Sequence, residues 1–293
     1  MAEVKTLCIS GGGIKGLSYC GVFEKLQELH MKKEITLNIQ KLCCVSVGCI
    51  FGLIYILGYN IEEIKEELLD KNFSELKDIR IKNFFTGYGL DSGKNIVSWI
   101  ETLMIKKGFS KNITFKEMYD KTGVDFQVVA TNLETYKYTM FNWESDPKMK
   151  VTRGIRLSIS IPFIFTAERY NGQVYVDGGV LNSYPIEYVI DDVETVLGFR
   201  LMSYECPGKR AIESFEGFVS NLVATSIYQR EKTRLEENLQ MKTIYIYTNV
   251  SNSMNFQISK KEKEELMKLG YEATEKYFEN LSKKNINSDG RVQ

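Results

Sequence analysis

Residues 35–57 read Ile35-Thr-Leu-Asn-Ile-Gln-Lys-Leu-Cys43-Cys44-Val45-Ser46-Val47-Gly48-Cys49-Ile-Phe-Gly52-Leu-Ile-Tyr-Ile-Leu57. An extended apolar piece reaches a serine among small residues and runs at once into an apolar block of helical character. A strand turning sharply into a helix at a serine is the geometry of a nucleophile elbow. That turn strains the serine backbone, so the residues two places either side must be small. Gly48 meets the requirement fully; Cys44 stands where the usual pattern has glycine. The helix that follows directs its N-terminus, with its free N–H groups and dipole, toward negative charge at the serine.

Working outward, the N-terminal side repeats the arrangement. Residues 4–10 form a short buried strand, followed by Gly11-Gly12-Gly13-Ile14-Lys15-Gly16 and then a helix over 17–30 with Leu17, Val22, Phe23, Leu26 and Leu29 on its core face. Strand, glycine turn, helix and strand, serine turn, helix is the alternation of an α/β sheet covered by helices. Further helices are expected at 61–69 and at 96–107, the second capped by Asp91 or Ser92, and at 150–159 before Pro162. Strands are expected at 124–132, 136–142, 173–177, 193–199 and 242–248. A helix should span about 214–239, and Ser259-Lys-Lys-Glu262 is a capping box opening a last helix to about 281. The polar tail 282–293 is expected to be disordered. With 293 residues, only four prolines, no linker and no repeat, one domain over 1–281 is the expected organisation.

Formal net charge is zero and the cations form no long block, so nucleic acid is not expected as a partner, whereas a local basic face against anionic lipid stays compatible. The six cysteines show no zinc spacing, and five lie in apolar stretches, as buried reduced thiols do. The chain enters a strand directly after Met-Ala-Glu-Val-Lys, so a secretory signal is not expected and a cytoplasmic-type compartment is, with peripheral attachment at membranes compatible. Residues 43–59 are uncharged and mostly apolar, but the run opens as a strand. Its helical part of about a dozen residues suits a buried helix better than a membrane span.

The glycine turn can be read in several ways. It matches G-x-G-x-x-G between strand and helix, a dinucleotide fingerprint, although that fingerprint needs an acid at the end of the second strand, where Ser46 stands instead. Lys15 is followed by Gly rather than Ser or Thr, which excludes a phosphate-binding Walker loop. Alternatively the N–H groups of Gly11, Gly12 and Gly13, with Ile14, form an oxyanion hole. In a parallel sheet both strand ends share an edge, so this turn and Ser46 can face each other. A plain turn without ligand is the remaining reading. Lys15 can add positive charge near a phosphate or oxyanion, or be a solvated surface lysine.

A serine nucleophile needs a base. The one histidine, His30, falls at the far end of its helix, about 20 Å from the glycine turn at 1.5 Å per residue, where a cation complements the helix terminus. A carboxylate is left. Asp177 ends a short apolar strand before Gly178-Gly179, although Asp-Gly is also a common turn dipeptide. Asp91 is a second candidate, with helix capping as its alternative task.

Gly-Gly-Gly-Ile-Lys-Gly, Cys-Val-Ser-Val-Gly and Asp-Gly-Gly, in this order, resemble the patatin-like phospholipases. That family has a glycine-rich oxyanion motif, a G-x-S-x-G elbow, a D-G-G/A motif and a Ser-Asp dyad without histidine. Ala130-Thr-Asn-Leu-Glu-Thr135 and Ser158-Ile-Ser-Ile-Pro-Phe163 resemble its connecting segments, and the likeness covers about 5–190. Cys44 departs from the pattern. The resemblance implies a three-layer α/β/α domain with a largely parallel sheet, Ser46 as nucleophile, Asp177 as base, and Gly16, Gly48, Gly178 and Gly179 as motif glycines. It also implies a phospholipid substrate at a membrane surface. No calcium-loop pattern occurs, so neither metal nor cofactor is expected. The rival expectations are a nucleotide-binding oxidoreductase and a lipid-binding protein that has lost activity.

Overall fold

A computed structural model describes residues 2–189, 193–203, 237–250 and 254–289, with isolated positions between 215 and 225. Strand β1 (Ala2–Ile9) leads through a single-turn 3-10 helix, Gly13–Leu17, into α1 (Ser18–Met31), and β2 (Ile35–Val45) leads into α2 (Val47–Ile56). Then come α3 (Ile61–Asp70), α4 (Ile81–Gly87), β3 (Gly89–Asp91), α5 (Lys94–Lys106) and α6 (Phe115–Thr122). The hairpin of β4 (Asp125–Asn132) and β5 (Lys137–Phe141) precedes α7 (Val151–Ser158), β6 (Phe163–Phe165), β7 (Glu168–Tyr170) and β8 (Gln173–Asp177). Strand β9 (Val196–Ser203), the short α8 (Glu237–Met241), β10 (Thr243–Thr248) and α9 (Lys260–Asp289) complete the described chain.

The main sheet runs β10-β9-β1-β2-β4-β8-β7, with β5 also paired to β4; β3 and β6 form a separate parallel pair. Strands β10, β9, β1, β2 and β4 are mutually parallel, whereas β5, β7 and β8 join antiparallel. This is the expected α/β class with a largely parallel sheet. Side-chain alternation divides the sheet into two faces. Leu7, Ile9, Leu42, Cys44, Val128 and Ala130 enter the large core under the helices. Cys8, Cys43, Val45 and Val129 point the other way, into a smaller cluster with Tyr184, Ile186 and Leu239.

Helix α2 explains the uncharged run of the sequence. All its residues from Gly48 to Ile54 are buried, because it lies within the large core. Its ten residues reach about 15 Å, half a bilayer core. Among the described residues no helix is long and apolar enough to cross a membrane. Five cysteines are free and buried, as expected, and Cys206 lies outside the described residues.

Several expected boundaries shift. The segment expected as a strand from 193 first makes a 3-10 turn, Val193–Thr195, whose Glu194 reaches out to Lys242, and β9 begins at Val196. The helix expected over 214–239 falls largely outside the described residues. Helix α9 continues past 281 to Asp289, so the tail expected to be disordered from 282 is helical to that point; residues 290–293 lie outside the described residues. The last helical turns add N–H to carbonyl bonds at low entropic cost once a long helix exists.

Candidate active site

Ser46 sits between β2 and α2 with φ 53° and ψ −126°, a left-handed backbone that a non-glycine residue adopts only under constraint. Gly48 allows it: a Cβ there would lie 2.4 Å from the Ile9 carbonyl oxygen and 2.8 Å from that of Ser10, so the head of α2 presses directly on the end of β1. Ser158 holds the elbow from below. Its hydroxyl accepts the Ser46 N–H at 2.8 Å and donates to the Val129 carbonyl at 2.5 Å. The Cys49 thiol, kept protonated because burial pushes its pKa up, donates to the same hydroxyl at 3.3 Å.

Asp177 closes β8. Strand β4 lies between β2 and β8, so the ends of two strands not adjacent to each other carry the serine and the carboxylate. Ser46 Oγ donates to Asp177 Oδ2 at 2.6 Å, while the Gly179 N–H donates to Oδ1 at 2.7 Å. The Asp177 N–H donates to the Ser160 carbonyl at 2.9 Å. A Cβ on Gly178 would meet the Val129 carbonyl oxygen at 2.5 Å, so the Asp-Gly-Gly turn is pressed onto β4. Burial raises the Asp177 carboxyl to about 6, against the pull of the Ser46 hydroxyl and the Gly179 N–H. Such a group is ionised at neutral pH yet far more basic than a solvated carboxylate.

The glycine turn faces the same place. Gly13, Ile14, Ser46, Val47, Trp99 and Phe165 are among the walls of one cleft, whose lining is overwhelmingly apolar. Gly13 has φ 57°, in the left-handed region that favours glycine. Among the described residues the N–H groups of Gly12 and Gly13 meet no acceptor. Gly11 corrects the expectation. Its N–H donates to the Ser183 carbonyl at 3.0 Å, so it is not a free donor; its role is steric, since a Cβ there would stand 3.2 Å from Ser46 Cβ. Gly16 likewise gives room, to Val47 at 2.6 Å from a built Cβ. Lys15 lies within the same 3-10 turn.

Other sequence candidates go elsewhere. His30 is at the exposed end of α1, with Nδ1 3.3 Å from the Ile35 carbonyl. Both Asp91 oxygens are taken by backbone N–H groups, of Gly93 and Asp78, each at 2.7 Å, so Asp91 shapes the entry to α5. The dinucleotide reading finds neither its acid, since β2 ends at Val45 and Ser46 follows, nor open space over Gly12, where a Cβ would lie 2.5 Å from Leu201 Cδ1. Arg156 is a buried residue that the sequence did not single out. It donates to the hydroxyl of Ser160, to the Ser92 carbonyl and to both oxygens of Thr166, tying α7 to the β3–β6 pair.

The family model for patatin-like phospholipase matches residues 7–190. A relative from invertebrate iridescent virus 6, named "probable lipid hydrolase 463L", is 35% identical over 192 residues, covering 64% of this chain and 63% of its own. Protein R571 of Acanthamoeba polyphaga mimivirus is 25% identical over 279 residues, 92% of each chain. Among solved structures, VipD from Legionella pneumophila superposes with a TM-score of 0.60 at 20% identity, over 95% of this chain and 67% of that one, a likeness of fold. With more than half of its length matched by the family model, the chain belongs to the patatin-like phospholipase family.

Proposed function

We propose that this protein is a lipid acyl hydrolase that cleaves fatty-acyl esters of phospholipids through a Ser46–Asp177 dyad and an acyl-enzyme. The observation that carries the reading is the 2.6 Å hydrogen bond from the strained Ser46 to the buried Asp177. Ser46 Oγ attacks the ester carbonyl carbon while its proton passes to Asp177 Oδ2. The negative charge that forms on the carbonyl oxygen is held by the Gly12 and Gly13 N–H groups, donors worth about 3–4 kcal/mol each in a transition state. Collapse returns the proton from Asp177 to the leaving alcohol and leaves the acyl group on Ser46. Asp177 then takes a proton from water, whose oxygen attacks the acyl carbon, and the released proton restores the Ser46 hydroxyl as the fatty acid departs. The apolar cleft of Trp99, Phe165 and their neighbours suits an acyl chain.

The strained Ser46 and its bonded acid partner favour this reading over a lipid-binding protein without activity. Treatment with a fluorophosphonate probe and identification of the modified peptide tests the reading. Labelling at Ser46, absent in Ser46→Ala and accompanied by turnover of diacylphospholipid, is the expected result. Unchanged turnover in Ser46→Ala, or modification at another residue, would overturn it.

A further inference from the structure

Residues 77–94 leave the body of the protein and return to it as a closed excursion. Its base is tied by the Arg80 N–H to the Leu90 carbonyl at 2.8 Å, by a bridge between Ile79 and Asp91, and by the Ala167 N–H to the Gly87 carbonyl at 2.8 Å. Between these ties α4 buries no residue. Ile81 is 74% exposed, Phe85 78% and Tyr88 61%, and Ile79 is exposed beside them. Across the β3–β6 pair Phe163 is exposed as well, opposite Gly89. One exposed apolar side chain is ordinary, but a cluster held out on a tied-down element marks an interaction surface.

Its position and charge select the partner. Ile79 and Leu90 line a second cleft that shares Leu76, Ile96, Phe165 and Phe256 with the cleft at Ser46, so the apolar surface continues inward to the serine. Apolar and cationic residues alternate along Ile79-Arg80-Ile81-Lys82, and Lys94 is exposed at the return of the excursion. Asp78 is ion-paired with Arg80 at 2.8 Å and also accepts from Ser92, and Asp91 is buried, so the exposed cations that this segment presents are Lys82 and Lys94. A cationic rim around exposed Ile and Phe suits the anionic surface and acyl boundary of a bilayer. The same rim repels a second copy of itself.

We propose that the α4 excursion docks the protein on anionic phospholipid bilayers, with Ile81 and Phe85 entering the acyl boundary and Lys82 and Lys94 meeting the head groups. This seats the mouth of the cleft on the membrane, and it rests on the reading of Ser46 as a lipid-cleaving nucleophile only for its purpose. The binding step is separable, so it is measured on Ser46→Ala protein by sedimentation with vesicles of phosphatidylcholine and phosphatidylglycerol (7:3) or phosphatidylcholine alone. The expected result is binding to the anionic vesicles that falls with added salt. It falls at least tenfold in Ile81→Ser/Phe85→Ser, and Lys82→Gln/Lys94→Gln removes most of the anionic preference. With Ser46 intact, Ile81→Ser/Phe85→Ser should hydrolyse a soluble short-chain ester at the wild-type rate, because neither residue lines the cleft. Equal vesicle binding by Ile81→Ser/Phe85→Ser would overturn the proposal. So would a wild-type dimer that this double variant dissociates, which would make a second copy the occupant. Vesicle binding as expected without any ester turnover by the wild type would refute the hydrolase reading and leave the docking surface standing.

Discussion

Cys44 and Gly52 are fitted to each other across the junction of β2 and α2: a Cβ on Gly52 would lie 2.6 Å from Cys44 Sγ but 3.8 Å from Cys44 Cβ. A thiol therefore occupies the place where the elbow pattern has glycine because the helix facing it lacks a side chain at that point. The Ser46 backbone keeps its strained turn regardless.

Gly52→Ala should lower stability by about 1–2 kcal/mol, since overpacking against Sγ outweighs the helix propensity gained. Cys44→Ala removes the obstructing sulfur, so the double variant should recover most of the loss. Urea unfolding of the four proteins measures the coupling. A Gly52→Ala protein as stable as the wild type would show that the junction has slack.

Acid should silence the enzyme and also stabilise this part of the fold. As the proposed base, Asp177 works only when ionised, so kcat/KM should fall about tenfold for each pH unit below about 6. The folded pKa of about 6 lies above the ordinary 3.8, so the folded state holds this proton more tightly than the unfolded state. The contribution of Asp177 to stability therefore increases as pH falls from about 6 toward 4 and is lost as pH rises through 6. Above that the buried carboxylate costs roughly 3 kcal/mol. Asp177→Asn should accordingly be about 1–3 kcal/mol more stable than the wild type at pH 8, with little difference at pH 4, while losing at least a hundredfold in turnover. Calorimetry at the two pH values beside an ester assay reads both effects. His30→Gln, measured in parallel, should keep full turnover; an inactive, folded His30→Gln protein would overturn the dyad.

Ser158→Ala should impair catalysis without touching substrate. The substitution strips the Ser46 N–H and the Val129 carbonyl of their partner, at a cost of about 1–3 kcal/mol in stability. With the elbow loosened, kcat should drop by about tenfold while KM holds, because only the placement of Ser46 Oγ changes. Ser158→Thr retains the hydroxyl and should recover part of kcat. A Ser158→Ala enzyme with wild-type kcat would assign the hydroxyl a purely structural role.

Lys263→Met should destabilise the fold from a distance. Lys263, on α9, donates to the carbonyls of Leu68, Leu69 and Lys71 at 3.1, 2.8 and 2.6 Å, closing the C-terminus of α3. Removing the ammonium leaves these carbonyls at a helix end without their cation, a loss of about 2 kcal/mol. Thermal unfolding checks the value, and an unchanged midpoint would mean that water replaces the ammonium at no cost.

Much of the architecture was legible because local rules write it. The elbow at Ser46, the glycine turn and the Asp-Gly-Gly turn each need particular small residues at particular spacings, and the long helices and buried strands carry their period in the sequence. Helix α6 was missed, although Thr114-Phe-Lys-Glu117, which opens it as a capping box, carries that signal in the sequence. Helix α4 and strands β3, β6 and β7 were not legible. They span seven residues or three, too few for a period, and exist because Arg80 bonds Leu90 and Gly89 pairs with Phe163.

By itself the sequence determined where the chain turns and which residues at those turns could do chemistry. Pairing between them was decided only in three dimensions. Ser46 and Asp177 lie 131 residues apart, and they meet because β4 inserts between β2 and β8 in a register that brings both strand ends to one edge. The same packing engages the Gly11 N–H with the Ser183 carbonyl, and it recruits Ser158, 112 residues from Ser46, to hold the elbow. A backbone turn depends on its own few residues. A side-chain contact between distant strands depends on strand order and register, which the long-range packing of the whole core selects.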